Sequence, residues 1–228
     1  MGSVNSKSEA YTGRVMADGG ERSDLFRRIF EENSWGNSES VSGEGSNLAR
    51  TAIVRAELPA LLTRYGVRSI LDAPCGDFFW MKELDLDGIV YTGIDIVPEI
   101  VARNVELYAS AQRAFLLGDL IEDALPAADL ILCRDCLVHL TYAETRRALD
   151  NFRQSGATWV LTTTFTGPRV NHDITTGDWR PINLERAPYN FPTPVMVINE
   201  QSDEVDEELG PFPDKSLGLW PLADLPSW

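Results

Sequence analysis

Apolar positions change their spacing three times along this chain, and each change marks a different kind of element. Over residues 23–32 Leu25, Phe26, Ile29 and Phe30 recur at helical spacing, which predicts a short amphipathic helix capped by Ser23 or Asp24. A polar Gly/Ser stretch, 34–46, leads into a longer helix over 47–65 that Pro59 would kink. After Gly66, apolar runs of four to six residues alternate with amphipathic segments, the pattern of a mostly parallel sheet with helices on both faces. Strands are predicted at 69–73, 89–94, 114–117, 130–133 and 159–163, and helices at 79–84, 98–110 and 142–154. A long polar, Pro-rich stretch, 167–194, is too extended for a plain connection and reads as part of a site. Two closing strands, 195–198 and 217–220, flank an acidic loop at 203–208 and are expected to pair antiparallel at the sheet end. No internal repeat is evident.

A chain of 228 residues fits one α/β domain over 23–228 behind a flexible tail, 1–22. Within the domain, 23–66 supplies the first helices, 67–166 a ligand-binding core, and 167–228 the acceptor segment and closing strands. The net charge of −15 works against nucleic acid or an anionic membrane as partner. Only Lys7, Lys82 and Lys215 are lysines, so the positive charge is mainly guanidinium, suited to carboxylates. Cys75, Cys133 and Cys136 form no metal-ligand spacing and suit a reducing compartment, so a soluble, cytoplasmic protein is expected. Gly2 and Ser6 match a myristoylation pattern that short sequences often match by chance.

Chemistry concentrates at the strand ends. The first predicted strand runs into Asp72, Ala73, Pro74, Cys75, Gly76 and Asp77, a tight turn in which Gly76 lets backbone approach a ligand and Asp72 faces a cation or hydroxyl. Two carboxylates there would repel a diphosphate, and the G-x-G-x-x-G fingerprint is absent, which sets a nicotinamide dinucleotide second. Asp95 ends the second strand, about 20 residues on, where a carboxylate accepts from ribose hydroxyls. Asp119 ends the third and can accept from an adenine amino group beside Leu120. One aspartate alone would be an ordinary turn former; three at successive strand ends read a nucleoside.

From about 69 to 167 the chain resembles the Rossmann-like core of class I S-adenosylmethionine-dependent methyltransferases. In that family the first loop runs acidic-x-Gly-x-Gly-x-Gly; Asp72 and Gly76 match, while Pro74 and Phe78 stand in place of the outer glycines. The resemblance implies a seven-stranded, mostly parallel sheet with the last strand antiparallel and an N-terminal helical lid. It places Asp72, Ala73, Pro74 and Gly76 near the methionine part, Asp95 on the ribose, Asp119 on the adenine, and Ile96 and Leu120 around the base. Ser42, Gly43 and Ser46 are candidates for the cofactor carboxylate, or a plain capping loop. Arg134 and Asp135 would face the reacting sulfonium, or form an ion pair that orders the loop; His139 is a candidate base or part of a helix start.

Trp35, Thr164, Arg169, Asn171, Trp179, Arg180 and Asn183 are the candidate acceptor residues, with Trp179 otherwise a packing anchor and His172 a weaker candidate. Arg134, Arg169 and Arg180 suggest a carboxylate-bearing small molecule, methylated at oxygen without a base. Other N- or O-acceptors, a protein tail, and a regulatory module that binds the cofactor without turnover stay open, as does a homodimer. No carboxylate or histidine cluster for Mg²⁺ is evident, so a metal-independent reaction is expected.

Overall fold

A computed structural model describes residues 17–206 and 209–227. Seven strands form one sheet: β1 (Ser69–Asp72), β2 (Val90–Asp95), β3 (Arg113–Leu117), β4 (Leu130–Cys133), β5 (Trp159–Phe165), β6 (Met196–Asn199) and β9 (Lys215–Pro221). Their order is β3-β2-β1-β4-β5-β9-β6. The first five are parallel, while β9 runs antiparallel to both β5 and β6. Because the order reverses direction at β1 and β4, their carboxyl ends open a crevice, the usual ligand position in such sheets. A separate two-residue hairpin, β7 (Val205–Asp206) and β8 (Gly210–Pro211), flanks the acidic run.

Burial on both faces explains the near-continuous apolar runs. Neighbouring strand residues point to opposite sides. Leu71, Ile131 and Val160 join Ala148, Leu149 and Phe152 of α4 (Tyr142–Gln154). Ile70, Leu130, Leu132 and Leu161 meet Val54, Leu58 and Leu61 of α2 (Ala52–Arg64), with Val101 of α3 (Pro98–Tyr108) in the same layer.

Most boundaries shift by one or two residues from the sequence reading, and four differences have a local reason. The first helix, α1, is Ala17–Glu31, so residues 17–22 are helical and only 1–16 of the expected tail, with Gly2 and Ser6, lie outside the described residues. Ser23 therefore caps nothing; its hydroxyl donates to the Ile96 carbonyl instead. The second helix starts at Ala52, after a single 3-10 turn (Glu44–Ser46), and continues through Pro59. Between β1 and β2 only one such turn, Met81–Glu83, replaces the expected helix. Strand β5 extends to Phe165 because Thr164 and Phe165 pair with Ser216 and Lys215.

Candidate functional site

The first turn is built around two unusual backbone positions. Gly76 has φ +53°, and a Cβ there would lie 2.2 Å from the Ser42 hydroxyl, so only glycine lets the N-terminal loop settle onto the turn. Two residues on, Phe78 adopts φ +58°, the left-handed region in which the family pattern has glycine. Its ring is buried against Tyr91, Tyr108 and Phe115 at centroid distances of 5.0–5.2 Å, and this packing offsets the backbone cost. Asp77 draws the loop down: its carboxylate accepts from the Ser40 hydroxyl and the Val41 N–H, both at 3.0 Å.

The three strand-end aspartates differ in their surroundings. Asp72 is buried and accepts from the Tyr91 hydroxyl at 2.6 Å, and burial pushes its pKa up to about 7. Asp95 accepts from the Gly76 and Val97 N–H groups, each at 3.0 Å, yet burial still raises it to about 6. Neither has an ion-pair partner among the described residues. Asp119 is different: Arg22 of α1 grips one of its oxygens through Nε and Nη2, at 3.1 and 2.7 Å, and also reaches Glu122 and Glu144. Sequence reasoning missed Arg22 because the helix was started at Ser23, six residues after its observed start at Ala17, which left Arg22 in the expected tail.

Between these ends lies a cavity of about 110 Å³. Pro74, Asp95, Ile96, Asp119, Leu120 and Asp135 line it from the strand ends, and Ser42, His139, Phe26, Phe30 and Trp35 complete its wall. Asp72, Ala73, Gly76, Gly43, Ser46 and Arg134 sit behind this lining rather than in it. Gly43 packs on Trp35, and Ser46 is buried where the loop turns into α2.

At the end of β4 the charges are saturated. Arg134 forms a two-pronged pair with Glu200, at 3.1 and 2.6 Å, and lies 3.2 Å from Asp135. Burial opposes charge on both groups, but the paired carboxylates hold the guanidinium above its usual value. Asp135 has φ +50° and meets Lys215 Nζ at 3.0 Å; although burial alone would raise it, Arg134 and Lys215 hold it below the usual carboxylate range. A Cβ on Gly45 would come within 2.9 Å of Asp135 Oδ2, which is how the N-terminal loop crosses this point.

The candidates from the Pro-rich segment do not line the cavity. Thr164 accepts from the Leu184 N–H, and Asn171 and Asn183 brace the segment through the Asn183 N–H, the Asn183 carbonyl and the Gly167 carbonyl. Trp179 is a packing anchor against Phe165 and Phe212. Arg169 pairs with Asp214, and fully buried Arg180 donates to the Leu140 carbonyl at 2.7 Å and the Tyr189 hydroxyl at 3.0 Å. His172 is exposed and away from the cavity. All three cysteines are free and buried. Among the described residues no helix is long and apolar enough to cross a membrane, and no group of three or more His, Cys, Asp or Glu could hold a metal.

This strand order and crevice are the fold of the class I S-adenosylmethionine-dependent methyltransferases. A methyltransferase from Leishmania major superposes with TM-score 0.60 at 16% identity, over 89% of this chain and 82% of that one. The 1,6-didemethyltoxoflavin N1-methyltransferase of Burkholderia thailandensis, solved with its substrate and S-adenosylhomocysteine, gives TM-score 0.56 at 16% identity over 95% and 96%. The N-methyltransferase NodS of Bradyrhizobium japonicum, solved with S-adenosylhomocysteine, gives 0.51 at 17% over 62% and 74%. No family model and no curated protein sequence matches the chain.

Proposed function

We propose that this chain is a metal-independent methyltransferase that uses S-adenosylmethionine and a small-molecule acceptor. The observation that carries the reading is the pair Asp72 and Asp95, buried at adjacent strand ends of this fold with raised pKa values and no ion-pair partner among the described residues. A nucleoside with hydroxyls and a positive centre suits such a cleft, because its donors and charge offset the desolvation of the carboxylates. In this reading Asp95 takes the ribose hydroxyls, Ile96 and Leu120 flank the base, Asp119 reads its amino group, and Asp72, Ala73, Pro74 and Gly76 shape the methionine end. Ser42 serves as a hydroxyl at that end, with Gly43 and Ser46 shaping its loop. The bound cofactor supplies an electrophilic methyl group; the protein aligns the acceptor, keeps water out and handles its proton. A dinucleotide suits the turn less well, since Ser42 and Asp77 fill the space over Gly76 that a diphosphate would take.

Calorimetry against S-adenosylhomocysteine and NAD tests the cofactor: binding of the first and not the second is expected, and the reverse would sink the proposal. For the acceptor, the internal partners of Arg134, Arg169 and Arg180 weigh against a carboxylate held by guanidinium groups. Macromolecular acceptors are disfavoured by the narrow, aromatic-walled cavity.

A further inference from the structure

Four hydrogen bonds fasten the segment 177–180 to the turn that carries His139. The Gly177 N–H donates to the His139 carbonyl at 2.9 Å, and the Arg180 N–H donates to the Val138 carbonyl at 3.1 Å. Arg180 Nη1 donates to the Leu140 carbonyl at 2.7 Å, and His139 Nδ1 lies 2.9 Å from the Asp178 carbonyl. A carbonyl only accepts, so Nδ1 carries the ring hydrogen. In a neutral imidazole Nε2 is then a bare acceptor, and it has no hydrogen-bond partner among the described residues, on a ring that lines the cavity.

The surroundings keep that ring neutral. Burial lowers the His139 pKa below its ordinary 6.5; the hydrogen bond to the Asp178 carbonyl and the charge of Asp135 at the end of β4 oppose it, and Lys215 from β9 and Arg180 add to the lowering, which prevails. Asp135 is also on the cavity, placed to favour the imidazolium once a proton arrives. Opposite stand apolar groups: Trp35 stacks on His139 with centroids 5.2 Å apart, and Phe26 lies 6.4 Å from Trp35. The charged side chains lining the cavity are Asp95, Asp119, Asp135 and Arg22, and Arg22 is already bound to three carboxylates. An anionic acceptor would meet carboxylates and no free cation.

We infer that His139 is the general base of this site, that Arg180 is its positioning residue, and that the acceptor is an uncharged planar ring bearing an N–H or O–H. The inference rests on the methyltransferase reading above. In the transfer, the acceptor lone pair forms the bond to the methyl carbon while the carbon–sulfur pair departs with sulfur, turning a sulfonium into a neutral thioether. The acceptor's proton passes to His139 Nε2 and then to water, so one positive charge is conserved.

The chain has two histidines, so ¹⁵N-labelled protein bound to S-adenosylhomocysteine, with His172→Ala as the assignment control, gives both imidazoles by long-range ¹H–¹⁵N NMR. The expected result is an Nδ1–H tautomer for His139 that titrates below 6.5; an Nε2–H tautomer or a midpoint above 6.5 overturns the assignment. Labelled S-adenosylmethionine is then offered hydroxy- and amino-substituted heteroaromatic rings alongside aromatic and aliphatic carboxylic acids. Methylation is expected among the rings, with kcat lost by about 100-fold in His139→Gln at unchanged S-adenosylhomocysteine affinity. Turnover confined to the carboxylic acids, or no turnover of the rings, overturns the acceptor class. Arg180→Lys should lower kcat more than it raises KM and shift the tautomer signal; an unchanged tautomer with altered stability would make Arg180 merely structural. If S-adenosylhomocysteine fails to bind in calorimetry, the methyltransferase reading itself falls; binding together with the wrong tautomer removes the His139 assignment alone.

Discussion

The two ends of the crevice treat charge in opposite ways. At the ends of β1 and β2, Asp72 and Asp95 are buried with hydrogen-bond donors but without an ion-pair partner among the described residues, and burial, only partly offset at Asp72 by the charge of Arg134, raises their pKa values to about 7 and about 6. At the end of β4 and along β9, every charged group has an opposite partner: Arg134 with Glu200, Asp135 with Lys215, Arg169 with Asp214. The first arrangement stores unfavourable desolvation that a ligand can relieve. The second is complete without a ligand, so removing one member leaves a buried partner short of its counter-charge. Acidic groups alone therefore do not reveal a binding site; acidic groups that lack a counter-charge do.

Substitutions can break this contrast, and the largest effect belongs to the saturated end. Glu200→Ala removes both prongs of the buried pair and leaves Arg134 only its single contact with Asp135, and should lower unfolding stability by about 3 kcal/mol, read from denaturant melts; a loss under about 1 kcal/mol would show the pair to be dispensable. Asp95→Asn should weaken S-adenosylhomocysteine about 100-fold in calorimetry, the equivalent of about 2.7 kcal/mol, with folding largely intact.

Asp72→Asn sharpens the contrast through pH. Its folded-state pKa of about 7 lies above the unfolded value near 4, so the native state holds a proton that the unfolded chain has already released. The contribution to stability is full below about pH 4 and is lost as pH rises through about 7. The variant, free of this dependence, should be on the order of 2 kcal/mol more stable than the parent at pH 8 while binding cofactor less well. Equal stability of the two proteins at that pH would contradict the assignment. The smallest effect is expected for Arg169→Gln, which removes a partly exposed pair and should cost under about 1 kcal/mol without altering S-adenosylhomocysteine affinity.

The same contrast explains what the sequence disclosed. Asp72, Asp95 and Asp119 were legible because strand ends can be read locally, from an apolar run that stops at an acidic residue. The fold class followed from that alternation and from the resemblance it supported. Glu200 and Lys215 were not legible as partners of Arg134 and Asp135, because 66 and 80 residues separate them and nothing local marks the pairing. A lysine opening the otherwise apolar run of β9 was the one available sign. Asp178 acts through its backbone carbonyl, which no side-chain pattern reports. The Pro-rich segment was read as part of a site, but none of its candidates lines the cavity: its asparagines order the segment itself, and Gly177, Asp178 and Arg180 hold the turn at His139.

Arg22, Phe26 and Phe30 are spaced four residues apart on α1, so one stripe of a single rod spans both ends of the crevice over about 12 Å. With that stripe seated, the cavity of about 110 Å³ is well short of the roughly 300–1,000 Å³ that small-ligand sites occupy. A ligand that competed with Arg22 for Asp119 would loosen the anchor of the same helix whose Phe26 and Phe30 wall the cavity, so two ligands bound there would be coupled through α1. Reciprocity then requires each ligand to alter the affinity of the other by the same factor. Calorimetry of each ligand with and without the other would read that factor directly.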